Sequence, residues 1–261
     1  MKGLRIFFVG GLISYRALFG FLSLWIFVPT LILTPIFQIL LFAYIGRAAG
    51  IGSDEFYVIG NAIQYSSVPC LFAMTQTIAD ERFWQTLGPI LVSPAGRLPL
   101  FLGRALPVIV NGLFVAAFSL FFGGLLLGTT LTGATWARLA PVLLVGAFSC
   151  TGLGLVNAAI GLRVRETAVL SNVFVGLLLI FCGANVALST LPGWMAVIGR
   201  GLPLTHTIEA ARAVAGGASL ASVRGLLGRE AVVGLAYAAL GVAMLRFFEQ
   251  QSRRHATLER V

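Results

Sequence analysis

Long apolar runs dominate this sequence, and they restrict its fold more than any other feature. Hydrophobic residues make up 58% of the 261 residues and charged residues only 10%, against about 25% charged residues in soluble domains. A helix needs about 20 apolar residues to cross the hydrocarbon core of a bilayer. In lipid only helices and closed barrels satisfy their backbone, and runs of this length exceed barrel strands. The sequence therefore predicts an all-α integral membrane protein.

Six apolar segments are predicted as transmembrane helices within a single domain over residues 1–261. They cover about residues 21–45, 56–79, 98–127, 139–160, 168–188 and 231–248. Before them, residues 1–18 place Lys2, Arg5 and Arg16 among apolar residues, which predicts an amphipathic helix lying on the membrane surface. A cleaved secretory signal is disfavoured because Arg16 interrupts the apolar stretch and no small-residue cleavage site follows it.

Arginine placement predicts which loops face the cytoplasm. If both termini are cytoplasmic, the short cytoplasmic loops carry most of the arginines, as the positive-inside rule requires. The net charge of +9 is then explained by membrane topology rather than by nucleic acid binding. In this topology residues 81–94 are cytoplasmic and residues 189–230 are extracellular or dip back into the membrane.

The sequence carries none of the usual signatures of catalysis or of ion-driven transport. Lys2 is its only lysine, so it has no phosphate-binding G-x-x-x-x-G-K-[ST] loop. No acidic residue falls near the centre of a predicted span, which disfavours a proton-driven carrier. The spacing of its cysteines and histidines predicts neither a metal site nor a disulfide framework. If this chain performs transport, we expect a partner subunit to supply the energy.

Residues 81–94 form a short polar segment between two apolar runs. Asp80 is expected to cap a helix there, and Phe83, Trp84 and Leu87 fall on one face of it. Such an element could dock into a groove of a partner protein. An interfacial helix with its aromatic residues at headgroup level explains the pattern equally well.

Two segments resemble the ABC-2 type transporter permeases. In the first segment the family pattern is matched at Thr86, Leu87, Leu91, Ser93 and Pro94, whereas Gln85 and Gly88 depart from it. The second segment precedes the last span and carries a Pro-Leu-Thr-His run. Its matching residues are Leu191, Pro192, Trp194, Pro203, Leu204, Thr205, His206, Glu209 and Arg212. A lone histidine such as His206 is more often a capping or packed residue than a ligand.

The resemblance implies a half-transporter in the plasma membrane of a bacterium or archaeon. Two permease copies, or two homologous permeases, would pair within the lipids and bind two cytoplasmic ABC ATPases. ATP and Mg²⁺ would bind those ATPases, and this chain would bind no cofactor. Residues 81–94 would be the coupling helix, and export is the expected direction. The residues that would contact the ATPase are Glu81, Arg82, Phe83, Trp84, Thr86, Leu87 and Pro94.

Polar side chains within the spans are the candidates for a substrate path, because such residues are costly in lipid and tend to face a cavity or another helix. They include Asn111 and Asn157. In the family, spans one, two and five line the subunit interface, which favours Gln38, Asn61, Gln64, Tyr65, Asn172 and Asn185. Hydrogen bonding between helices is the alternative role for each of these residues.

Three functions fit the sequence. The favoured one is export of a hydrophobic or amphiphilic compound such as a drug, an antibiotic or a lipid-like molecule. Export of a lipid-linked glycan is the second, although the four tryptophans offer few stacking platforms for sugars. A channel or scaffold protein that needs no ATPase is the third.

Overall fold

The computed structural model describes the backbone of residues 28–83, 97–161, 163 and 167–255, and every regular element in these ranges is helical. A π-helical turn at Val28–Leu33 leads into the first α-helix, and a 3₁₀ turn at Leu188–Thr190 follows the sixth. The α-helices are α1 (Thr34–Ala49), α2 (Asp54–Tyr65), α3 (Ser67–Phe83), α4 (Arg97–Leu127), α5 (Gly133–Gly161), α6 (Thr167–Phe181), α7 (Gly193–Gly201), α8 (Thr205–Ala215) and α9 (Leu220–His255).

A tight loop joins α1 to α2 and sets them side by side. Gly50 ends α1 in the left-handed conformation, with φ +66°, which glycine adopts without a steric penalty. Ser53 then caps α2, because its Oγ accepts a hydrogen bond of 3.3 Å from the Phe56 amide. A side chain at Gly46 would overlap the Tyr57 ring, so glycine there permits the close approach of the two helices.

The second predicted span is two helices rather than one. α2 ends at Tyr65 and α3 begins at Ser67. Pro69 lies in the first turn of α3, where it lacks the amide hydrogen that would continue the hydrogen-bond ladder from α2. The Ser66 amide and hydroxyl both donate to the Ile63 carbonyl, at 3.1 Å and 2.6 Å, which closes the end of α2.

α5 is the central helix of the described bundle. Every residue from Ser149 to Ala159 is buried, and a helix buried on all sides belongs to the interior. It packs against α9, α3, α8 and α4. A Cβ at Gly234 or Gly241 of α9 would meet the α5 backbone within 3 Å. Small residues therefore set the α5–α9 spacing, as is usual for helices that associate in membranes.

The segment between the fifth and sixth predicted spans folds back into the bundle. α8 packs against α9, α5 and α2, and most of its side chains are buried. The helix predicted from His206 to Val214 is present and extends one residue further at each end. α9 begins at Leu220, where Ser219 accepts the Ser222 amide, so the last helix starts well before the predicted boundary at residue 231.

Four described helices are long and apolar enough to cross a membrane, namely Pro29–Ala49, Ala105–Leu127, Gly133–Gly161 and Leu220–Phe248. The second predicted span is divided at Ser66. The fifth was expected to reach residue 188, but α6 ends at Phe181 after 15 residues, which is about 22 Å of helix. Six crossings therefore stay a prediction, whereas the all-helical membrane class agrees with the structure.

Three connections between the described helices lie at one end of the bundle, which we call the long-loop end. They are residues 50–53, 128–132 and 182–219. The predicted surface helix at residues 1–18 lies outside the described residues.

Candidate functional site: an amide cluster and its brace

Four of the six predicted path residues meet in one hydrogen-bonded group, the amide cluster (Gln38, Asn61, Gln64 and Asn185). Gln38 Nε2 of α1 donates to Asn61 Oδ1 at 3.0 Å and to Gln64 Oε1 at 2.7 Å, both on α2. Asn61 Nδ2 donates in turn to Asn185 Oδ1 at 2.9 Å, 124 residues away in sequence. The cluster thus joins α1 and α2 to the chain that follows α6.

The amide cluster is only partly satisfied, and one side of it is open. Asn61 and Gln64 are fully buried, and Gln64 Nε2 has no hydrogen-bond partner among the described residues. Gln38 is half-buried, and its neighbours Phe37 and Leu41 are 63% and 57% exposed. Amide donors and acceptors therefore border an exposed apolar face of α1, which is the chemistry that an amphiphilic molecule requires.

Asn185 reaches the cluster because the chain bends sharply after α6. Gly183 adopts φ +82°, a conformation that favours glycine, and the bend runs from Cys182 to Val186. Its carbonyl groups have no helical partners, so another donor must satisfy them. Arg212 of α8 supplies that donor.

Arg212 is a brace between α8, the bend and α2. Its Nη1 donates to the Gly183 carbonyl at 2.8 Å, and its Nη2 donates to the carbonyls of Ala184 at 2.8 Å and Phe56 at 3.0 Å. The guanidinium carbon also lies 3.4 Å from the centroid of the Phe56 ring, a favourable cation–π contact. Burial lowers the pKa of the Arg212 guanidinium to about 10, so the brace is still cationic at neutral pH.

Gly60 makes this arrangement possible. A Cβ at this position would lie 2.3 Å from the Ala184 carbonyl oxygen and 2.5 Å from Arg212 Nη2. The absent side chain therefore lets the bend and the guanidinium approach α2, one residue before Asn61.

Glu230 caps the start of α8 from another helix. Its fully buried carboxylate accepts hydrogen bonds from the amides of Leu204 at 2.7 Å, His206 at 3.1 Å and Thr207 at 3.3 Å. Leu204 enters the helix with φ +72°, which is unusual for a residue with a side chain. A carboxylate at a helix N-terminus satisfies free amides and complements the helix dipole.

The residues of the Pro-Leu-Thr-His segment have structural roles at the start of α8. Pro203, Thr205 and His206 are buried, whereas Glu209 is exposed. The Thr205 hydroxyl does not cap α8 but donates to the Gly199 carbonyl at 2.6 Å. His206 Nδ1 lies 3.6 Å from Glu230 Oε2, so the ring packs beside the capping carboxylate.

The remaining intramembrane candidates lie apart from the amide cluster. The Tyr65 hydroxyl donates to the Thr30 carbonyl at 2.8 Å, and Asn172 is exposed on α6. Asn157 donates to Thr75 Oγ1 and to Ser171 Oγ, both at 2.7 Å, and so links α5 to α3 and α6. Asn111 is buried on α4, with no partner for its Oδ1 among the described residues.

Most of the predicted coupling residues lie outside the described part of the chain. This holds for Trp84, Thr86, Leu87 and Pro94, whereas Glu81, Arg82 and Phe83 form the last turn of α3. Asp80 lies inside that helix, so the expectation that it would begin a new helix as an N-cap was wrong. The physical reason is that the hydrogen-bond ladder of α3 continues through residues 80–83, which lie beyond the predicted end of the second span.

Glu230 and Gly60 were not identified from sequence. Glu230 was assigned to the end of a loop, because it immediately precedes an apolar run. The missed signal was Ser219, a good N-cap residue followed by a stretch without proline, which together place Glu230 about three turns inside a helix. For Gly60 no local signal was available, since its neighbours come from residues 184 and 212.

Comparison with known protein families agrees with this architecture. The family model described as ABC-2 type transporter matches residues 20–215, which is well over half of the chain. The chain belongs to the ABC-2 type transporter family. The match includes the whole amide cluster and Arg212, and it ends with α8, so Glu230 lies beyond it. No curated protein matches this chain.

Membership of the family makes the chain a transmembrane permease of the ABC type, a multi-pass membrane component that normally works with an ATPase subunit. This agrees with the resemblance identified from Thr86 to Pro94 and from Leu191 to Arg212.

Proposed function

We propose that this ABC-2 permease exports a hydrophobic or amphiphilic compound out of the cell and that the amide cluster contacts the polar part of that compound. The supporting observation is the position of Gln38, which is half-buried between the buried amides of α2 and the exposed face of Phe37 and Leu41. A polar group could exchange hydrogen bonds with the amides while an apolar body lies on α1.

The energy would come from a separate cytoplasmic ATPase that binds ATP and Mg²⁺. Two copies of that ATPase would bind a pair of permeases. When the two ATPases close on each other, the segment at residues 81–94 would transmit that motion to α3. In this proposal the permease lies in the plasma membrane, and its long-loop end faces the outside of the cell.

The path is tested by replacing Gln38 with methionine, which keeps the side-chain length and removes the amide. The matched control is Gln76→Met, which makes the same substitution at an exposed position of α3 outside the cluster. The permease and its ATPase would be reconstituted in vesicles, and uptake of a fluorescent amphiphile into inside-out vesicles would be measured. We expect Gln38→Met to reduce uptake roughly ten-fold, the effect of about 1.4 kcal/mol, and the control to transport normally.

Equal uptake by Gln38→Met and by the parent would show that the amide cluster is only a helix-packing feature. An ATP-dependent flux of lipid-linked glycan with no flux of small amphiphiles would reassign the substrate class. Both variants would first be checked for monodisperse elution, so that misfolding is not mistaken for lost transport.

Partner coupling is tested by co-purification with candidate ATPase subunits. The variant is Phe83→Asp combined with Leu87→Asp, and the control is Ile51→Asp, which puts one aspartate at an exposed position of the long-loop end. We expect the ATPase to be lost only from the double variant. Retention by both variants would show that Phe83 and Leu87 do not contact the ATPase. The absence of any bound ATPase in the parent would favour a channel or scaffold.

A further inference from the structure

A shallow apolar groove lies between the end of α7 and the outer face of α9. It is lined by Gly201, Val232, Val233, Ala236, Tyr237 and Leu240, and its volume is roughly 270 Å³. The Tyr237 hydroxyl donates to the Gly201 carbonyl at 3.1 Å and closes the base of the groove. Five of the six lining residues belong to the apolar part of α9, Leu220–Phe248, so we expect the groove to face lipid rather than water.

Two arginines flank this groove. Arg229 precedes Val232 and Val233 by three and four residues, so it lies on the same face of α9, one turn toward the long-loop end. Arg200 directly precedes Gly201 at the end of α7. Both side chains are exposed, and neither forms an ion pair with an acidic residue in the described part of the chain.

The exposed face of α7 extends the same apolar surface. Trp194, Val197 and Ile198 are 63%, 68% and 44% exposed, and their spacing places them on the same face as Gly201. A short helix with an outward tryptophan and a terminal arginine is typical of the boundary between headgroups and acyl chains. The groove therefore begins at headgroup level and continues along α9 into the hydrocarbon.

We propose that this groove is a specific lipid site, in which one acyl chain of an anionic phospholipid lies along α9 and its phosphate pairs with Arg200 and Arg229. Ligand pockets for drug-sized molecules span about 300–1,000 Å³, so the groove suits a single hydrocarbon chain better than a whole transported molecule. Guanidinium groups bind phosphate through paired hydrogen bonds. The site is distinct from the amide cluster and does not depend on the proposed transport function.

The inference is tested by measuring lipid retained by the full chain. The protein would be reconstituted in nanodiscs of equal phosphatidylglycerol and phosphatidylcholine and extracted in mild detergent, and bound lipids would be counted by native mass spectrometry. We expect the parent to retain phosphatidylglycerol preferentially. Removing the charges in Arg200→Gln/Arg229→Gln should lower this preference roughly five-fold for each arginine, whereas Arg224→Gln, an exposed arginine on another face of α9, should leave it unchanged.

A second pair of variants tests the groove itself. Ala236→Trp fills it while both arginines stay, and Leu235→Trp adds the same ring to a neighbouring exposed position outside the lining. We expect only Ala236→Trp to lose bound lipid of either headgroup. Equal retention of the two lipids by the parent, or a double arginine variant that behaves like Arg224→Gln, would overturn the assignment of an anionic lipid to the two arginines. Equal lipid counts for the two tryptophan variants would contradict the proposal that an acyl chain lies in the groove.

Discussion

The start of α8 and the amide cluster are both polar regions inside a membrane bundle, and they differ in which groups their hydrogen bonds join. At α8, Glu230 accepts three backbone amides, and Arg212 donates to three backbone carbonyls. In the amide cluster the bonds join neutral side chains to one another, and Gln64 Nε2 has no partner among the described residues. Among the described residues Arg212 Nε also lacks a partner, so the contrast is between side chains that bind backbone groups at α8 and neutral amides that bind one another in the cluster.

We use that difference to propose a structural role for the start of α8 and a functional role for the amide cluster. Removing a charged side chain that binds several buried backbone groups leaves those groups unsatisfied at high cost. Hydrogen bonds between neutral side chains in membrane bundles contribute little, about 0.6 kcal/mol on average. Neutral amides can therefore exchange partners with a passing molecule, whereas the Glu230 cap and the Arg212 brace cannot be opened without unfolding α8 or the bend.

The largest effect is expected from Glu230→Leu. Three buried amides at the start of α8 lose their acceptor, and we expect a loss of about 4 kcal/mol in the free energy of unfolding. Glu230→Gln keeps one acceptor oxygen and should cost about half as much. Denaturant titration of the protein in mixed micelles measures both, with Glu209→Gln as the exposed control. A Glu230→Leu variant as stable as that control would show that α8 needs no cap.

The second largest effect is expected from Arg212→Met. We expect it to lower the free energy of unfolding by about 3 kcal/mol, because three carbonyls lose a charged donor. Arg212→Lys should recover only part of this, since an ammonium cannot reproduce the planar fork. The folded pKa is about 10, below the ordinary 12.5. Both states are therefore protonated at neutral pH, and stability gains from this shift only above pH 10, as the folded arginine deprotonates first.

The control is denaturant titration of the parent and Arg212→Met at pH 6 and at pH 8. The loss in the free energy of unfolding caused by Arg212→Met should be equal at the two pH values. A loss that changes between them would show that a different group carries the effect. Gly60→Ala offers an independent check, since its Cβ would displace the bend and should mimic the loss of Arg212.

Asn61→Leu should separate stability from transport. It removes three hydrogen bonds, to Gln38, Tyr57 and Asn185, yet we expect a loss of only about 1–2 kcal/mol, since each is a neutral bond in a membrane bundle. Transport by the reconstituted complex should fall much further than this stability loss explains. Normal transport with lowered stability would place the amide cluster in the same structural class as Glu230.

The smallest effect is expected at the exposed pair of Arg47 and Asp54. Arg47 Nε donates to Asp54 at 2.8 Å and holds the pKa of that carboxyl below its ordinary value of 3.8. The stabilisation is present above the unfolded pKa and disappears as pH falls through the lowered folded pKa. Because solvent and salt screen such a pair, Asp54→Asn should scarcely change the melting temperature at pH 7. A shift comparable with Arg212→Met would contradict the comparison between exposed and buried charges.

The sequence by itself determined the all-helical membrane class, the family and several local features. Apolar runs longer than a bilayer core leave only helices as a solution, and this holds whatever the helices pack against. The helix predicted at His206–Val214 was correct because its ending before Gly216 and Gly217 is a local signal. Four of the polar residues singled out within the predicted spans form the amide cluster, and their place in a substrate path stays a prediction.

Only the tertiary structure decided which polar groups meet. Asn61 and Asn185 are 124 residues apart, and Glu230 caps amides that precede it by 23 to 26 residues. The spacing of apolar residues predicts which face of a helix is buried, but it does not predict which other helix packs against that face. A carboxylate at the start of an apolar run therefore looks like a solvated helix end, and only the return of α8 into the bundle makes Glu230 a buried cap.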